Sequence, residues 1–472
     1  MAYHHPLLKS RSSSNAVWDG VLSLLEDYKS LIVPVAANIA TSYNVCNVGY
    51  VMQIFRLEHP VPRWAAPAVA SSCLCGAVIG QLVLGWLGDR FGRRPALIAT
   101  LLLIIFGAGG GAIFTQGYGN YIWRSLVIWR FILGVGIGGT YPLTAVYAGE
   151  MQDERSMGRT RRVALSISIQ IIGNILAPVL MFIVLLFLGS ENVTLNQTST
   201  EVAWRFLLGA GAVPALVALR EIMYSQESSE FLSIRATGFR SRLSDVMRTL
   251  SSDAKIRQRF IGAAGGWMCF DICFFGVAIF LPHIIHDLID KEDHGEGFLL
   301  LNSAVSALIN CIAIPAVLLS MRLVSDDGLG RKNLQIVSFF LIMVSYALLM
   351  FFFSSLRSIQ ATTSVVFMFL ILFFCLNFGA GMTTYILPQE SFPPEVRSSL
   401  NGMAAAAGKI GAIVGTSTFA PSARMLGLGT TFGWCSLCAL IGMIVTLVYV
   451  DDMRKEEGFD RIPDIPEVQR KL

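Results

Sequence analysis

Two ionisable residues lie where a chain would not bury them without a use: Asp271, in Trp267-Met268-Cys269-Phe270-Asp271-Ile272-Cys273-Phe274-Phe275, and Lys409, in Ala407-Gly408-Lys409-Ile410-Gly411. Both sit inside long apolar runs, where an ionised side chain at the centre of a membrane helix costs about 2.5–3.5 kcal/mol on insertion scales. Each is therefore expected to face a wet cavity or a partner of opposite charge. Lys409 has the chemistry to neutralise an anionic oxygen, while Asp271 can accept from a protonated hydroxyl of that anion or carry a proton itself. The competing expectation is a plain ion pair between two helices with no ligand. Tyr141, Gln170, Trp267 and Asn377 lie in similar apolar surroundings and join the candidate binding set. Each of these four is equally suited to packing or hydrogen bonding between helices.

A second group of charges closes the ends of apolar runs. In Gly85-Trp86-Leu87-Gly88-Asp89-Arg90-Phe91-Gly92-Arg93-Arg94 the glycines allow a tight turn and close helix contact. Asp89 can accept hydrogen bonds from the N-terminus of a neighbouring helix or pair with an arginine. A degenerate echo, Asp327-Gly328-Leu329-Gly330-Arg331-Lys332, occupies the corresponding place later in the chain. Two copies in register imply an internal repeat, as in proteins whose halves rock about a central site. Glu150 and Glu390 end two further apolar runs at matching positions, each followed by arginines. Asp89, Arg90, Arg93, Arg130, Glu150, Asp327, Arg331, Glu390 and Arg397 are the expected gating residues, acting as latches that differ between states.

These residues need helices in lipid to hold them. Of 472 residues, 54% are hydrophobic and only 14% charged, against the quarter or so of charged residues usual in soluble domains. Apolar runs long enough to cross roughly 30 Å of hydrocarbon recur along the chain, and backbone polarity makes such runs helical. They fall at about 31–55, 65–87, 95–115, 123–149, 163–188 and 204–224, then 259–284, 299–322, 333–354, 363–387, 400–422 and 428–450. Continuous blocks such as Leu97–Phe106 exclude the alternating segments of a β-barrel. The expected fold is an all-α membrane protein of about twelve transmembrane helices in two pseudo-symmetric six-helix bundles. Its expected divisions are a 1–30 tail, a 31–224 bundle, a 225–258 connecting loop, a 259–450 bundle and a 451–472 tail. No cleavable leader is expected in the first thirty residues.

Basic residues crowd alternate connections, including Arg90, Arg93 and Arg94, the Arg155–Arg162 cluster, seven in 225–259, and Arg331 with Lys332. The positive-inside rule then places these loops and both termini in the cytosol. The sequons Asn192–Thr194 and Asn196–Thr198 fall in a connection of the opposite kind, as glycosylation would require. The basic 225–258 loop is expected to attract the anionic headgroups of membrane lipids. Plasma membrane is the expected location, with Pro6-Leu7-Leu8 keeping a vacuolar or other organelle membrane as the alternative.

The glycine, aspartate and arginine pattern around Asp89 resembles the loop signature of the major facilitator superfamily, over about residues 30–450. Within that superfamily, Gly138-Gly139-Thr140-Tyr141-Pro142-Leu143-Thr144 looks like the phosphate:proton symporter signature Gly-Gly-Asp-Tyr-Pro-Leu-Ser, with Thr140 in place of the aspartate. Gln170, Trp267 with Asp271, Asn377-Phe378-Gly379 and Lys409 fall where those symporters keep matching residues; Phe275 replaces their usual tyrosine. The resemblance implies the major facilitator fold and a secondary transporter of a small anion, phosphate foremost, with protons as a coupling ion. The family's first helix normally carries acidic residues, whereas here it reads Thr41-Ser42-Tyr43-Asn44. A threonine or asparagine cannot change charge, so coupling falls to Asp271, to another cation, or is absent. A carrier of a glycerophosphodiester, organic anion or sugar fits the lost carboxylates too. A non-transporting solute sensor is the alternative from another class, with a long signalling tail as its expected mark.

An enzyme is not expected, because no nucleotide loop, metal-ligand cluster or nucleophile constellation lies in a loop able to present it. Neither a cofactor nor a metal nor a nucleic-acid partner is implied. Gly134-x-Gly136-x-x-Gly139 matches a dinucleotide-binding pattern but follows no strand, and its glycines instead suit close helix packing. All nine cysteines fall in apolar runs, and Cys435 with Cys438 has redox spacing inside a helix, where such cysteines read as packing residues.

Overall fold

The computed structural model describes residues 13–150, 158–188, 197–238, 240–278, 296–325, 328–358 and 362–451. All their regular structure is helical. The helices are α1 (Ser13–Glu58), α2 (Ala65–Phe91), α3 (Arg93–Phe114), α4 (Asn120–Glu150), α5 (Arg159–Ser168), α6 (Gln170–Leu188), α7 (Gln197–Ala210), α8 (Ala212–Tyr224) and α9 (Ser229–Ala236). They continue with α10 (Leu243–Ser252), α11 (Ala254–Ala278), α12 (Glu296–Cys311), α13 (Ala313–Leu323), α14 (Gly330–Ser358), α15 (Thr362–Asn377), α16 (Ala380–Ser391), α17 (Arg397–Leu426) and α18 (Leu428–Tyr449).

Eleven stretches among the described residues are long and apolar enough to cross a membrane. Four of them, Arg159–Leu188, Thr198–Tyr224, Leu299–Leu323 and Thr363–Ser391, are each interrupted once, so that two helices share one span. The twelfth expected span, 400–422, lies in α17, whose 30 residues reach roughly 45 Å at 1.5 Å per residue. Serines, glycines and Lys409 lower its apolarity, and its first half is sheathed by protein: α17 packs along α2 and along α11. A helix surrounded by other helices does not have to satisfy lipid.

Close packing in both directions depends on glycine. A Cβ on Gly134 of α4 would lie 2.1 Å from the Cys73 carbonyl oxygen of α2, and one on Gly402 of α17 would lie 2.2 Å from that of Gln81. The first contact is within the first half of the chain and the second joins the two halves. Further contact between halves comes from α6 against α12, while α14 with α18 and α11 with α17 knit the second half.

The break between α15 and α16 sits beside the candidate site. Gly379 adopts φ +71°, a conformation that favours glycine, and the backbone groups freed there are taken up by serines. Gly379 N donates to Ser320 Oγ at 2.8 Å and Ala380 N to Ser338 Oγ at 2.8 Å, while Ser338 donates to the Phe378 carbonyl. Asp327, the two sequon asparagines Asn192 and Asn196, and residues 279–284 of the expected seventh span lie outside the described residues.

Candidate functional site

Lys409 and Asp271 meet. Nζ of Lys409 donates to Oδ2 of Asp271 at 2.8 Å, with the two residues 1% and 2% exposed. The ammonium also stands 4.7 Å from the centroid of the Tyr141 ring and 4.5 Å from that of Phe275, so both faces supply cation–π attraction. Neither charge would be tolerated alone at this depth: removing one partner of a buried pair costs about 3–5 kcal/mol.

The pair forms part of the wall of a cavity of about 100 Å³ between the two halves. Tyr141, Gln170, Trp267, Asp271, Asn377 and Lys409, the six residues named from sequence, all line it. Trp267 stacks edge-on against Tyr141 at 6.1 Å and against Tyr385 at 6.4 Å, bridging α4, α11 and α16 with aromatic rings. Gln170 begins α6 just after the chain breaks at Ile169, which aims its amide into the cavity region. The Asn377 amide donates to the Phe373 carbonyl one turn back, at 2.8 Å.

Sequence reasoning missed the polar chain behind this wall. Gln170 Nε2 donates to Asn38 Oδ1 at 2.8 Å, and Asn38 Nδ2 reaches Thr144 Oγ1 at 3.3 Å; Thr144 shares a hydrogen bond of 2.7 Å with the Tyr385 hydroxyl. Asn38 was the available signal, a buried amide in the otherwise apolar run Leu31–Ala40. Thr140, in the place of the family aspartate, is fully buried with its hydroxyl unpartnered. Among the described residues Asp271 is the one carboxylate lining the cavity.

Most of the candidate gating residues gather at a second region, the arginine-rich end. Asp89 accepts from the first backbone N–H groups of α17, Ser398 at 3.1 Å and Ser399 at 2.7 Å, and from the Ser399 hydroxyl at 2.6 Å. A carboxylate there meets the positive end of the helix dipole. Arg93 lies 3.2 Å from Asp89 and forks onto Glu150 through Nε at 3.0 Å and Nη2 at 2.9 Å. Arg397, from the second half, joins the same Glu150 at 3.3 Å. In the second half Arg331 pairs with Glu390 at 2.9 Å, and Glu390 accepts from Thr160 of the first half at 2.5 Å.

Three residues of the connecting loop also belong here and were not named from sequence. Glu227 accepts from the backbone N–H of Arg93 at 3.0 Å and of Arg94 at 3.1 Å, Ser228 donates to Glu150 at 2.6 Å, and Glu230 pairs with Arg397 at 2.9 Å. Acidic and serine residues in a polar loop read as solvated, so nothing in the sequence distinguished them. Arg90 donates to the Ser241 carbonyl at 3.3 Å. Arg130 stands apart from the other gating candidates: it precedes Glu150 by 20 positions on α4, roughly 30 Å away, and donates to the Asn44 carbonyl at 2.6 Å.

With the geometry in hand, comparison with known proteins places the chain. The model of the Major Facilitator Superfamily matches residues 30–416. Similar proteins include the inorganic phosphate transporter PT2 of Toxoplasma gondii, 31% identical over 430 residues that cover 90% of this chain and 72% of the relative. Inorganic phosphate transporter 1-1 of Arabidopsis thaliana is 25% identical over 404 residues, covering 77% of this chain and 76% of the relative. Among solved structures, the proton:xylose symporter XylE bound to 6-bromo-6-deoxy-D-glucose gives a TM-score of 0.70 at 18% identity, over 90% of this chain and 96% of that one. The inward open conformation of XylE from E. coli gives 0.61 at 18% identity, over 92% and 98%. A helical fold with membrane-spanning stretches closed around a cavity between its two halves, matched by the family over most of its length, makes this chain an integral membrane transporter that belongs to the Major Facilitator Superfamily.

Proposed function

We propose that the chain carries inorganic phosphate across a membrane by alternating access, with the cavity at Lys409 as the binding site. The observation that carries this reading is the buried Lys409–Asp271 pair in the wall of a small cavity that also presents Tyr141, Gln170 and Asn377 among apolar side chains. The relatives named as inorganic phosphate transporters support the choice of solute. Lys409 would neutralise one phosphate oxygen, with Tyr141, Gln170, Trp267 and Asn377 completing the wall.

The pair also supplies a route to coupling. While Asp271 is ionised it competes with the anion for Lys409. A proton on Asp271 removes the repulsion and releases the ammonium, and by reciprocity a bound anion favours the proton. With no carboxylate at Thr140, proton coupling runs through Asp271 in this reading. Asp89, Arg90, Arg93, Glu150, Arg331, Glu390 and Arg397 act as the latch that must open for release on their side. That side is the cytosol, by the positive-inside rule, and both termini lie there. Plasma membrane is the proposed location, to be checked by imaging tagged protein against vacuolar and other organelle markers.

The test is uptake of radiolabelled phosphate by purified protein in liposomes, with and without an acidic exterior. Uptake is expected, to rise with the gradient, and to vanish in correctly inserted Lys409→Ala. Near-normal uptake in that variant overturns the site, and uptake indifferent to the gradient overturns the coupling. Absence of uptake by protein with verified folding overturns phosphate as the solute.

A further inference from the structure

We propose that the arginine-rich end carries a second anion site, for a phosphate group, formed by Arg90, Arg235 and Arg240 beside the latch. A cavity of about 110 Å³ opens there, comparable with the central one. Its three guanidinium groups come from separate places: Arg90 from the end of α2, Arg235 from the last turn of α9 and Arg240 from the segment that follows. Phe91 and Phe231 supply apolar walls.

The charge balance of this cavity favours an anionic ligand, although Arg235 and Arg240 are exposed and Arg90 is half-buried. Among the described residues none of the three arginines has a carboxylate within ion-pair distance, and their one side-chain hydrogen bond is from Arg90 to the Ser241 carbonyl at 3.3 Å. Asp89 also lines the cavity, but its two oxygens are occupied by Ser398, Ser399 and Arg93. Three guanidinium groups around a space of this size repel one another, in part screened by solvent, and an anion held between them offsets that repulsion. Planar guanidinium forks match the oxygens of a phosphate, and Arg suits this role better than Lys. The same chemistry is presented by free phosphate and by the phosphomonoester headgroup of a lipid. Phe91, 56% exposed, stands at the site's outer edge, where a lipid headgroup could approach.

Position gives the site a consequence. Arg90 adjoins Asp89, and Phe231, which forms one wall, lies 5.1 Å beneath the Arg93 guanidinium. A phosphate held between Arg90 and the Arg235–Arg240 segment ties α9 to α2. Glu230 of α9 and the adjoining Ser228 already hold Arg397 and Glu150, so the bound anion strengthens the closed latch and slows the transport cycle. This inference stands whatever solute the central cavity carries.

Two arms distinguish the source of the phosphate. In detergent, inorganic phosphate is titrated against Lys409→Ala protein, which mutes the central site, with and without Arg235→Ala/Arg240→Ala. In nanodiscs, the wild type and the Arg235→Ala/Arg240→Ala variant are compared with and without phosphatidic acid. At least one probe is expected to raise the melting temperature by about 2–4 °C at saturation and to slow hydrogen exchange across α9, both effects being lost in the double variant. A response to inorganic phosphate identifies a soluble ligand, and a response to phosphatidic acid alone identifies a lipid. An equal shift in the double variant, a shift matched by chloride at the same ionic strength, or no shift with either probe overturns the proposal. If the double variant melts early without ligand, Arg240→Gln, at an exposed position, replaces it under the same criteria.

Discussion

The two halves carry the same device at their arginine-rich ends and connect it differently. In the first half Arg93, opening α3, forks onto Glu150 at the end of α4; in the second, Arg331, opening α14, forks onto Glu390 at the end of α16. Across the interface the likeness stops. Glu150 meets a full charge from the opposite half, Arg397, while Asp89 takes the backbone N–H groups of α17. Glu390 reaches across only to a hydroxyl, that of Thr160, among the described residues. Burial differs in the same direction: the Glu150 side chain is 0% exposed, against 8% for Glu390. A repeat duplicated in sequence therefore produces one contact across the interface closed by an ion pair and one closed by hydrogen bonds between the Arg331–Glu390 pair and a single hydroxyl. In the proposed gate, opening of this end is expected to be governed mainly by the first.

The largest effect expected from this comparison is that of Glu150→Gln. The substitution keeps the shape but removes the anion that Arg93 and Arg397 share, leaving Arg93 to Asp89 and Arg397 to Glu230, a loss of up to about 3–5 kcal/mol. Glu390→Gln should cost about 1–3 kcal/mol, since Arg331 and Thr160 each keep an oxygen to face. Thermal unfolding of the two purified variants side by side measures the difference. Equal losses would break the asymmetry, and a larger loss for Glu390→Gln would reverse it.

A sharper probe isolates the contact to α17. Asp89→Asn retains one acceptor oxygen but loses the charge that faces the helix N-terminus and Arg93, which is expected to cost up to about 2 kcal/mol. Hydrogen exchange in the first turn of α17, at Ser398 and Ser399, should then quicken by roughly tenfold for each 1.4 kcal/mol lost. Unchanged exchange there would mean that Asp89 serves Arg93 alone.

How much of this was legible in sequence depends on how unusual each residue is in its surroundings. Asp271 and Lys409 stood out because a charge inside an apolar run has few explanations, and the cavity gathers them with the four weaker candidates. Asn38 and Thr144 did not, because short polar side chains occur in membrane helices for packing reasons as well. Span positions followed from apolarity, yet the breaks at Ile169 and Phe378–Gly379 did not, since serines such as Ser320 and Ser338 that stabilise a break are distant in sequence. The Asp89 motif suggested a helix N-terminus as partner, but only packing could show that it belongs to α17. Glu227, Ser228 and Glu230 were hidden for the opposite reason to Asp271: in a polar loop a charge is ordinary.

Thr160→Val tests the weaker latch and should give the smallest effect. The Thr160 hydroxyl donates to Glu390 and accepts from Arg331 Nη2, both at 2.5 Å. Valine preserves the branched shape at the start of α5 and removes both bonds, while the Arg331–Glu390 pair remains to balance its own charge. The expected cost is about 0.5–1.5 kcal/mol, below the usual worth of bonds to charged groups because Arg331 and Glu390 keep each other. Exchange should quicken in the first turn of α5 and stay unchanged in the first turn of α17, because the two latches share no side chain. Phosphate uptake should remain within about threefold of wild type. If Thr160→Val instead opens the α17 turn as well, the two latches release as one unit, and the contact at Glu150 does not act independently of the one at Glu390.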